Sequence, residues 1–232
     1  MKPPDDLFAT TRWTLVRAAG KADGSALAEL CSAYWIPVYS YVRRRSRSKE
    51  DAEDLTQGFF AQLLERGDIA GLRRENGKFR AFLLAAVKHH LANDHDRRRA
   101  LKRGGGIEPF PLDWQEADSR FQLADESGLP PDACYDRSWA TTLLARVLVS
   151  LAAEVADPRR FAGLRPYLTV DRDEISYAEA AAALGMEAGA VRVAVHRLRK
   201  RYRSLLREEV ARTLADPAQV EEELSALMAA FG

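Results

Sequence analysis

The residues with the most specific chemistry are the cations between Ala188 and Arg207, a segment that contains no acid. Arginine can donate paired hydrogen bonds to a guanine edge, and arginine or lysine can hold a phosphate. Apolar residues recur between them at helical spacing, so the segment predicts a helix with one face turned to a core. Such a helix is typical of DNA recognition, and a solvated basic surface is the alternative. The basic residues are Arg192, His196, Arg197, Arg199, Lys200, Arg201, Arg203 and Arg207.

The segment before this helix indicates how the helix is positioned. Tyr177, Ala181 and Leu184 lie at helical spacing, and Gly185 follows as a residue that can adopt a positive φ. Two short helices joined at such a glycine form a helix-turn-helix unit. Its second helix is suited to the DNA major groove, with its N-terminal end near the base edges.

The charges of the chain are segregated along its 232 residues. Lys and Arg number 35 and Asp and Glu number 34, which gives a formal net charge of +1. The range Arg43 to Arg103 is nevertheless net basic, whereas Glu108 to Asp136 contains eight acids and the single base Arg120. We therefore predict two basic units on either side of an acidic connector.

Apolar residues at helical spacing on both sides of this connector predict an all-α fold. We expect two small helical domains joined by an acidic linker that contains Gly and Pro and at most short helical turns, the second domain ending in the helix-turn-helix. The predicted boundaries are an N-terminal arm at 1–24, a first helical domain at 25–103, the acidic linker at 104–134, a second helical domain at 135–212 and a C-terminal amphipathic helix at 213–232.

Several classes of protein are disfavoured by the sequence. No apolar run approaches the roughly 20 residues of a membrane span, and the N-terminal MKPPDD is acidic where a signal peptide would be basic, so we predict a cytoplasmic protein. Cys31 and Cys134 have no second Cys or His at metal spacing, which disfavours a disulfide or a zinc site. We expect no cofactor and no small-molecule substrate.

Three ordered segments resemble the two domains of a bacterial sigma factor of the extracytoplasmic-function type. They are DAEDLTQGFFAQLLE at Asp51 to Glu65, FRAFLLAAVKHHLANDHDRRR at Phe79 to Arg99, and ISYAEAAAALGMEAGAVRVAVHRLRKRYRSLL at Ile175 to Leu206. The resemblance omits the arm, the linker and the tail. It implies a protein that is not an enzyme, binds core RNA polymerase, recognises promoter DNA and helps to open it. An anti-sigma factor or another regulatory protein is a further candidate partner.

The first segment resembles the helix that docks on the clamp helices of the largest polymerase subunit. A merely solvated acidic face is the alternative. The family usually has Glu directly after the Gln of this motif, whereas this chain has Gly58, which weakens a helix by about 1 kcal/mol relative to Ala. The resemblance implies docking by Asp51, Asp54, Leu55, Gln57 and Phe60.

The second segment resembles the part that captures the unpaired strand of the minus-ten element. Cations can hold the phosphates, and aromatic groups can wall a pocket for an everted base. Phe79 and Phe82 are candidates for that wall, although helical spacing favours a core position for Phe82. The family usually has Arg-Asn where this chain has His89 and His90, which implies a different sequence preference in strand recognition. The remaining candidates are Arg80, Lys88, Arg97 and Arg98.

Within the recognition helix, this chain has Ala190, Val193 and Ala194 where the family often has polar or basic residues. Base-edge hydrogen bonds then fall mainly to Arg192, His196 and Arg197, and Val193 could contact a thymine methyl. A weakly sequence-specific helix that relies on phosphates is the alternative.

Two other functions are weighed against the sigma-factor interpretation. His90, Asp94 and the dipeptide His95-Asp96 could hold a divalent ion as in a metal-dependent phosphohydrolase, although two turns of one helix supply too few ligands. A helix-turn-helix regulator that is not a sigma factor would explain the recognition helix but leave DAEDLTQ and DHDRRR without a role.

Two segments outside the resemblance carry hypotheses of their own. The linker acids could lie against the basic faces and inhibit DNA binding, and an extended solvated linker is the alternative. The tail predicts a helix with Asp216 as N-cap and Pro217 at its first position. We expect it to pack on the helical domains of the chain, and binding of an external regulator is the alternative. The linker acids are Asp113, Glu116, Asp118, Asp125 and Glu126, and the apolar tail positions are Val220, Leu224, Leu227, Met228 and Phe231.

Overall fold

The computed structural model describes residues 24–65, 78–100, 113–125, 128–169, 176–214 and 216–232. Every regular element within these ranges is helical, which confirms the all-α fold class. The predicted N-terminal arm lies outside the described residues except for Gly24. The α-helices are α1 (Gly24–Arg45), α2 (Lys49–Glu65), α3 (Phe79–Ala100), α4 (Trp114–Asp125), α5 (Pro131–Glu154), α6 (Pro158–Leu164), α7 (Tyr177–Leu184), α8 (Ala188–Thr213) and α9 (Val220–Ala229), with 3-10 turns at Arg165–Leu168 and Pro217–Gln219.

Contacts divide the chain into two compact units. The first comprises Met1–Thr142 and Val210–Gly232, and the second comprises Leu143–Glu209. The division falls within α5 and α8, whereas the sequence predicted a boundary in the acidic segment. Helix α5 contributes buried side chains to each unit: Trp139 is buried in the first unit and Leu151 is buried in the second.

Helix α1 is the centre of the first unit, since α2, α3 and α4 all pack against it. Aromatic rings make these contacts with an edge directed at a face, the arrangement that the charge distribution of aromatic rings favours. The ring centroids of Tyr34 and Phe79 lie 5.0 Å apart, and those of Trp35 and Trp114 lie 5.7 Å apart. Helices α3 and α4 are thereby held on α1 by side chains that are separated widely in the sequence.

Helix α4 corrects the expectation that the acidic segment contains only short helical turns. Asp113 caps the helix by accepting a hydrogen bond from the backbone N–H of Glu116 at 2.9 Å. Ala117 and Phe121, one turn apart, are both buried. The helix forms because this apolar stripe finds a surface on α1, which the acidic composition of the segment concealed.

The buried carboxylate of Asp118 joins α4 to the basic end of α1. It accepts a hydrogen bond from the Tyr39 hydroxyl at 2.9 Å and lies 3.6 Å from Nε of Arg43 and 3.8 Å from Nζ of Lys49. Burial raises the pKa of Tyr39, and the hydrogen bond to Asp118 raises it further. Asp118 therefore does lie against a basic segment, as the linker hypothesis required of all five acids.

The other linker acids do not follow that hypothesis where the structure describes them. Asp113 caps its own helix, and Glu116 pairs with Arg120 one turn along α4. The side chain of Asp125 and the whole of Glu126 lie outside the described residues. The described basic residues of α3 pair instead with acids from α5 and α9.

The second unit has one apolar core formed by α5, α6, α7 and α8. Leu151, Leu164, Val191 and Leu198 are buried in it, and Leu184 packs against them. A bidentate ion pair joins α5 to α8 at the surface, where the guanidinium of Arg201 lies 2.6 and 2.7 Å from the carboxylate oxygens of Glu154.

The turn between α7 and α8 has the geometry that its sequence predicts. Ser176 caps α7 by accepting from the N–H of Glu179, and Gly185 ends the helix with φ 61° and ψ 36°. The N–H of Met186 then donates to the carbonyl of Ala181 at 2.9 Å. This is the bond pattern that closes a helix at a left-handed glycine.

Alanine at Gly58 and at Gly185 should change stability in opposite directions. A Cβ at Gly58, inside α2, would lie 3.8 Å from the His90 ring, an ordinary contact, so Gly58→Ala should raise the free energy of unfolding by up to about 1 kcal/mol. Gly185→Ala places a Cβ on a left-handed residue and should lower it by about 1–2 kcal/mol. Urea unfolding measures both, and a destabilised Gly58→Ala protein would contradict the packing around Gly58.

Candidate polymerase and nucleic-acid interfaces

The predicted docking residues on α2 divide between surface and core. Asp54 is exposed, and Asp51, Leu55 and Gln57 are half-buried. Phe60 is 5% exposed, and its ring centroid lies 5.2 Å from that of Phe59. Its assignment to a surface contact is therefore wrong in this structure, because the apolar stripe of α2 needs Phe60 for the core.

Two of the departures from the family pattern, Gly58 and His90, are neighbours in space. The His90 ring on α3 lies beside Gly58 on α2, where no side chain intervenes. Its Nδ1 lies 2.7 Å from Oε1 of Gln62, and its ring meets Phe59 edge-on with centroids 5.7 Å apart. His90 therefore contributes to the packing of α2 on α3, while His89 is exposed.

Both phenylalanines of α3 were candidates for a pocket wall or for the core, and the core was favoured for Phe82. Phe79 is 1% exposed in the core, whereas Phe82 is only half-buried and stacks on Phe79 with centroids 6.1 Å apart. Phe79 is consequently not available as a pocket wall in this structure. Phe82 is the aromatic residue of α3 that could still meet a base.

Arg80 is held on several sides within the first unit. Its Nε donates to Oε1 of Glu223 on α9, and its Nη1 donates to Asp136 on α5. The guanidinium carbon lies 4.8 Å from the Trp139 ring centroid. Arg80 was predicted as a phosphate contact, and in this structure its charge is taken up by carboxylates.

The other described cations near α3 also face acids. Nζ of Lys78, which the sequence analysis did not single out, lies 2.8 Å from Oε2 of Glu223 and 2.9 Å from Oε1 of Glu222. Nζ of Lys88 lies 2.8 Å from Asp132 on α5. The side chains of Arg97 and Arg98 lie outside the described residues.

Residues 30–101, which include α2, α3 and most of α1, match the family model of sigma-70 region 2. This part of the chain is therefore similar to sigma-70 region 2. This match supports a sigma factor of the sigma-70 family, with a role in promoter recognition together with core RNA polymerase. The family consists of transcription initiation factors that are not enzymes, which agrees with the same expectation for this chain.

The structure describes only part of the side chains proposed as metal ligands. His90 is engaged with Gln62 and Phe59, and the side chains of His95 and Asp96 lie outside the described residues. Over the part of the chain whose side chains are described, no group of three or more His, Cys, Asp or Glu residues could hold a metal ion. None of the described helices is long and apolar enough to cross a membrane.

The tail forms a helix that packs in the same unit as region 2, as expected. It begins later than predicted, since Asp216 caps the 3-10 turn by accepting from the N–H of Ala218 at 2.9 Å, and α9 starts at Val220. Leu227 is buried, and Val220 and Leu224 are half-buried. Met228 and Phe231 were also assigned to the docked face, but they are 65% and 41% exposed.

Glu223 is the functional candidate that the sequence analysis missed. Its side chain is 1% exposed, although it carries a charge. Burial acts to raise its pKa, but hydrogen bonds from Arg80 and Lys78 outweigh burial and lower the pKa below 4.5. A signal was present in the sequence, because Glu223 lies three residues after Val220 and four before Leu227, within the apolar stripe.

The predicted recognition helix, α8, presents most of its predicted residues to solvent. Val191, Ala194, Val195 and Leu198 form its buried face. Arg199 differs, since its Nε donates to the backbone carbonyl of Tyr167 at 2.7 Å, so it ties α8 to the neighbouring 3-10 turn. The exposed predicted residues are Arg192, Val193, His196, Arg197, Lys200 and Arg203.

The docking of α9 should weaken as the pH falls through the pKa of Glu223. A carboxyl whose pKa is lower in the folded than in the unfolded protein stabilises the fold above the unfolded pKa, here about 4.5, and loses that contribution below it. Burial raises the pKa of Asp136, which acts in the opposite direction, but Asp136 is common to wild type and Glu223→Gln. In thermal melting at roughly pH 6, the wild type should have a higher melting temperature than Glu223→Gln. The two melting temperatures should converge as the pH is lowered to roughly pH 3. A difference that does not change with pH would contradict the ion-pair assignment.

Proposed function

We propose that the chain is a sigma factor of the extracytoplasmic-function type, which binds core RNA polymerase and directs promoter recognition, DNA opening and initiation. The observation that carries this proposal is the match of residues 30–101 to region 2. Region 2 here keeps Asp54 exposed on α2, and Asp51 and Gln57 lie beside it at the surface. This acidic face is the proposed docking site for core polymerase, and the role places the protein in the cytoplasm with the polymerase.

The second unit supports duplex DNA recognition by a region 4-like helix-turn-helix. Its helices α7 and α8 meet at the left-handed Gly185, and α8 buries an apolar face while exposing cations. Arg192 lies over the Tyr177 ring, with the guanidinium carbon 5.5 Å from the ring centroid. Its side chain is thereby supported at the N-terminal end of the helix, where base contacts are made in helix-turn-helix complexes.

The region 2 match disfavours the other two functions. A helix-turn-helix regulator that is not a sigma factor has no use for this domain, and a phosphohydrolase would require a metal site beyond His90 and Asp94. Promoter DNA and core polymerase are therefore the proposed partners. An anti-sigma factor or another regulatory protein is a further proposed partner.

The double variant Asp54→Arg/Gln57→Arg should abolish assembly with core polymerase. It reverses the charge of the exposed face without touching the buried residues of α2, so the helical content should stay unchanged. Co-purification with core polymerase measures the effect. Gln115→Arg/Glu116→Arg is a matched control, because it makes similar changes at exposed positions of α4. Normal holoenzyme assembly by the α2 variant would show that the docking face is wrongly assigned.

Arg192→Ala and Arg197→Ala should each weaken duplex binding by about 1–3 kcal/mol and alter the preferred sequence, as expected for an arginine bidentate to guanine. Lys200→Ala should weaken binding to all sequences alike and reduce the salt slope by about one. Arg199→Ala should mainly lower stability, since Arg199 bonds to the Tyr167 carbonyl. Binding to a randomised duplex library separates these effects, and identical profiles for all four variants would rule out base readout by Arg192 and Arg197.

A further inference from the structure

Two cations at the start of α3 enclose one buried carboxylate of α9. Nζ of Lys78 lies 2.8 Å from Oε2 of Glu223, and Nε of Arg80 donates to Oε1. The side chains of Lys78 and Arg80 are 23% and 16% exposed, and that of Glu223 is 1% exposed. Burying an ionised carboxylate is costly unless it is paired and hydrogen-bonded, so the two cations are what permits Glu223 to lie there.

The guanidinium of Arg80 is oriented independently of Glu223. Nη1 donates to Asp136, and the Trp139 ring lies on one side of the guanidinium plane. The edge formed by Nε and Nη2 is directed at Glu223, with Nη2 3.4 Å from Oε2. An arginine fork held in this way suits any anion that offers two oxygens, and a phosphodiester does so as well as a carboxylate.

We infer that Lys78 and Arg80 form a binding position for a backbone phosphate of single-stranded DNA, and that Glu223 occupies this position in the free protein. The inference rests on the proposed function for the identity of the ligand, since that function requires region 2 to hold an unpaired strand. Helix α9 is then an acidic cover that must leave before the strand can reach these two cations.

The attachment of α9 is suited to such a displacement. The helix is 10 residues long, and isolated helices of that length are marginal in water. Its apolar contacts come from the buried Leu227 and the half-buried Val220 and Leu224, with Met228 and Phe231 65% and 41% exposed. The ion pairs to Lys78 and Arg80 add to these few apolar contacts. A strand that neutralises the same cations competes directly with the cover.

Because DNA can bind this position only when α9 is undocked, the apparent affinity of the free protein is the intrinsic affinity multiplied by the undocked fraction. If α9 is undocked in about a tenth of the molecules, single-stranded DNA binds about tenfold more weakly than to the uncovered position. Asp136 belongs to α5 and stays beside Arg80 when α9 leaves. Asp136 therefore acts as a positioning residue for Arg80 and stays paired with it. The acids that pair with Lys78 lie on α9, so the full charge of Lys78 becomes available to the strand.

The test measures binding of the full chain to a fluorescein-labelled pool of random single-stranded DNA of about 12 nucleotides, by anisotropy at several salt concentrations. Glu223→Gln removes the buried charge and keeps the shape of the side chain. Glu222→Gln is a graded comparison, because it removes an equal charge from the adjacent residue, whose side chain is 71% exposed and pairs with Lys78 at the surface. A chain ending at Asp216 removes the cover entirely, and Lys78→Gln/Arg80→Gln in that chain removes the proposed phosphate position. Circular dichroism checks that each variant retains its helices.

We expect Glu223→Gln and the shortened chain to bind the pool about tenfold more tightly than wild type, with a salt slope steeper by roughly 0.7 for each released cation. Glu222→Gln removes only an exposed partner of Lys78 and should give a clearly smaller gain, and Lys78→Gln/Arg80→Gln should abolish the gain. Equal affinities of wild type and the shortened chain, an equal gain from Glu222→Gln, or a gain that persists without Lys78 and Arg80 would each overturn the inference.

The same proteins separate this inference from the proposed function. A gain in DNA affinity by a protein that does not assemble with core polymerase would support the phosphate position and contradict the sigma-factor function. Normal assembly with core polymerase and no gain in any variant would overturn the phosphate position alone.

Discussion

The requirement that the charge of Glu223 be neutralised governs the arrangement of the first unit. A carboxylate with 1% exposure must be surrounded by donors, and Lys78 and Arg80 at the start of α3 provide them. Arg80 in turn requires Asp136 and the face of Trp139 on α5. One buried charge thus connects α3, α5 and α9, which are far apart in the sequence.

The side chains of α2 divide between core and surface because its apolar residues are needed to fill the core. Phe59 and Phe60 are both buried, and the ring of His90 closes the space beside Gly58. The opposite side of α2 is left to Asp54, Asp51 and Gln57, which is why an acidic face is available for a partner. A larger residue at 58 would meet the imidazole of His90.

Helix α8, the proposed recognition helix, exposes cations on one face while its apolar face is packed in the core of the second unit. Val191, Val195 and Leu198 hold α8 on the core, and Arg199 adds a hydrogen bond to the Tyr167 carbonyl. The adjacent cations are consequently on the solvent side, with Arg192 supported by Tyr177. Rigid positioning of the donors is what allows a helix to read base edges as well as phosphates.

The sequence by itself determined the all-α class, the turn at Gly185 and the exposed side of α8, because these depend on periodicity and on local backbone geometry. It also located the exposed part of the α2 face and the tail helix. It could not assign Phe60, Phe79 and Arg199, since helical spacing shows which residues share a face but not which neighbour covers that face. The helix in the acidic segment and the enclosure of Glu223 by Lys78 and Arg80 were decided only by the tertiary structure. A buried ion pair depends on partners more than a hundred residues apart, and no local pattern records that they meet.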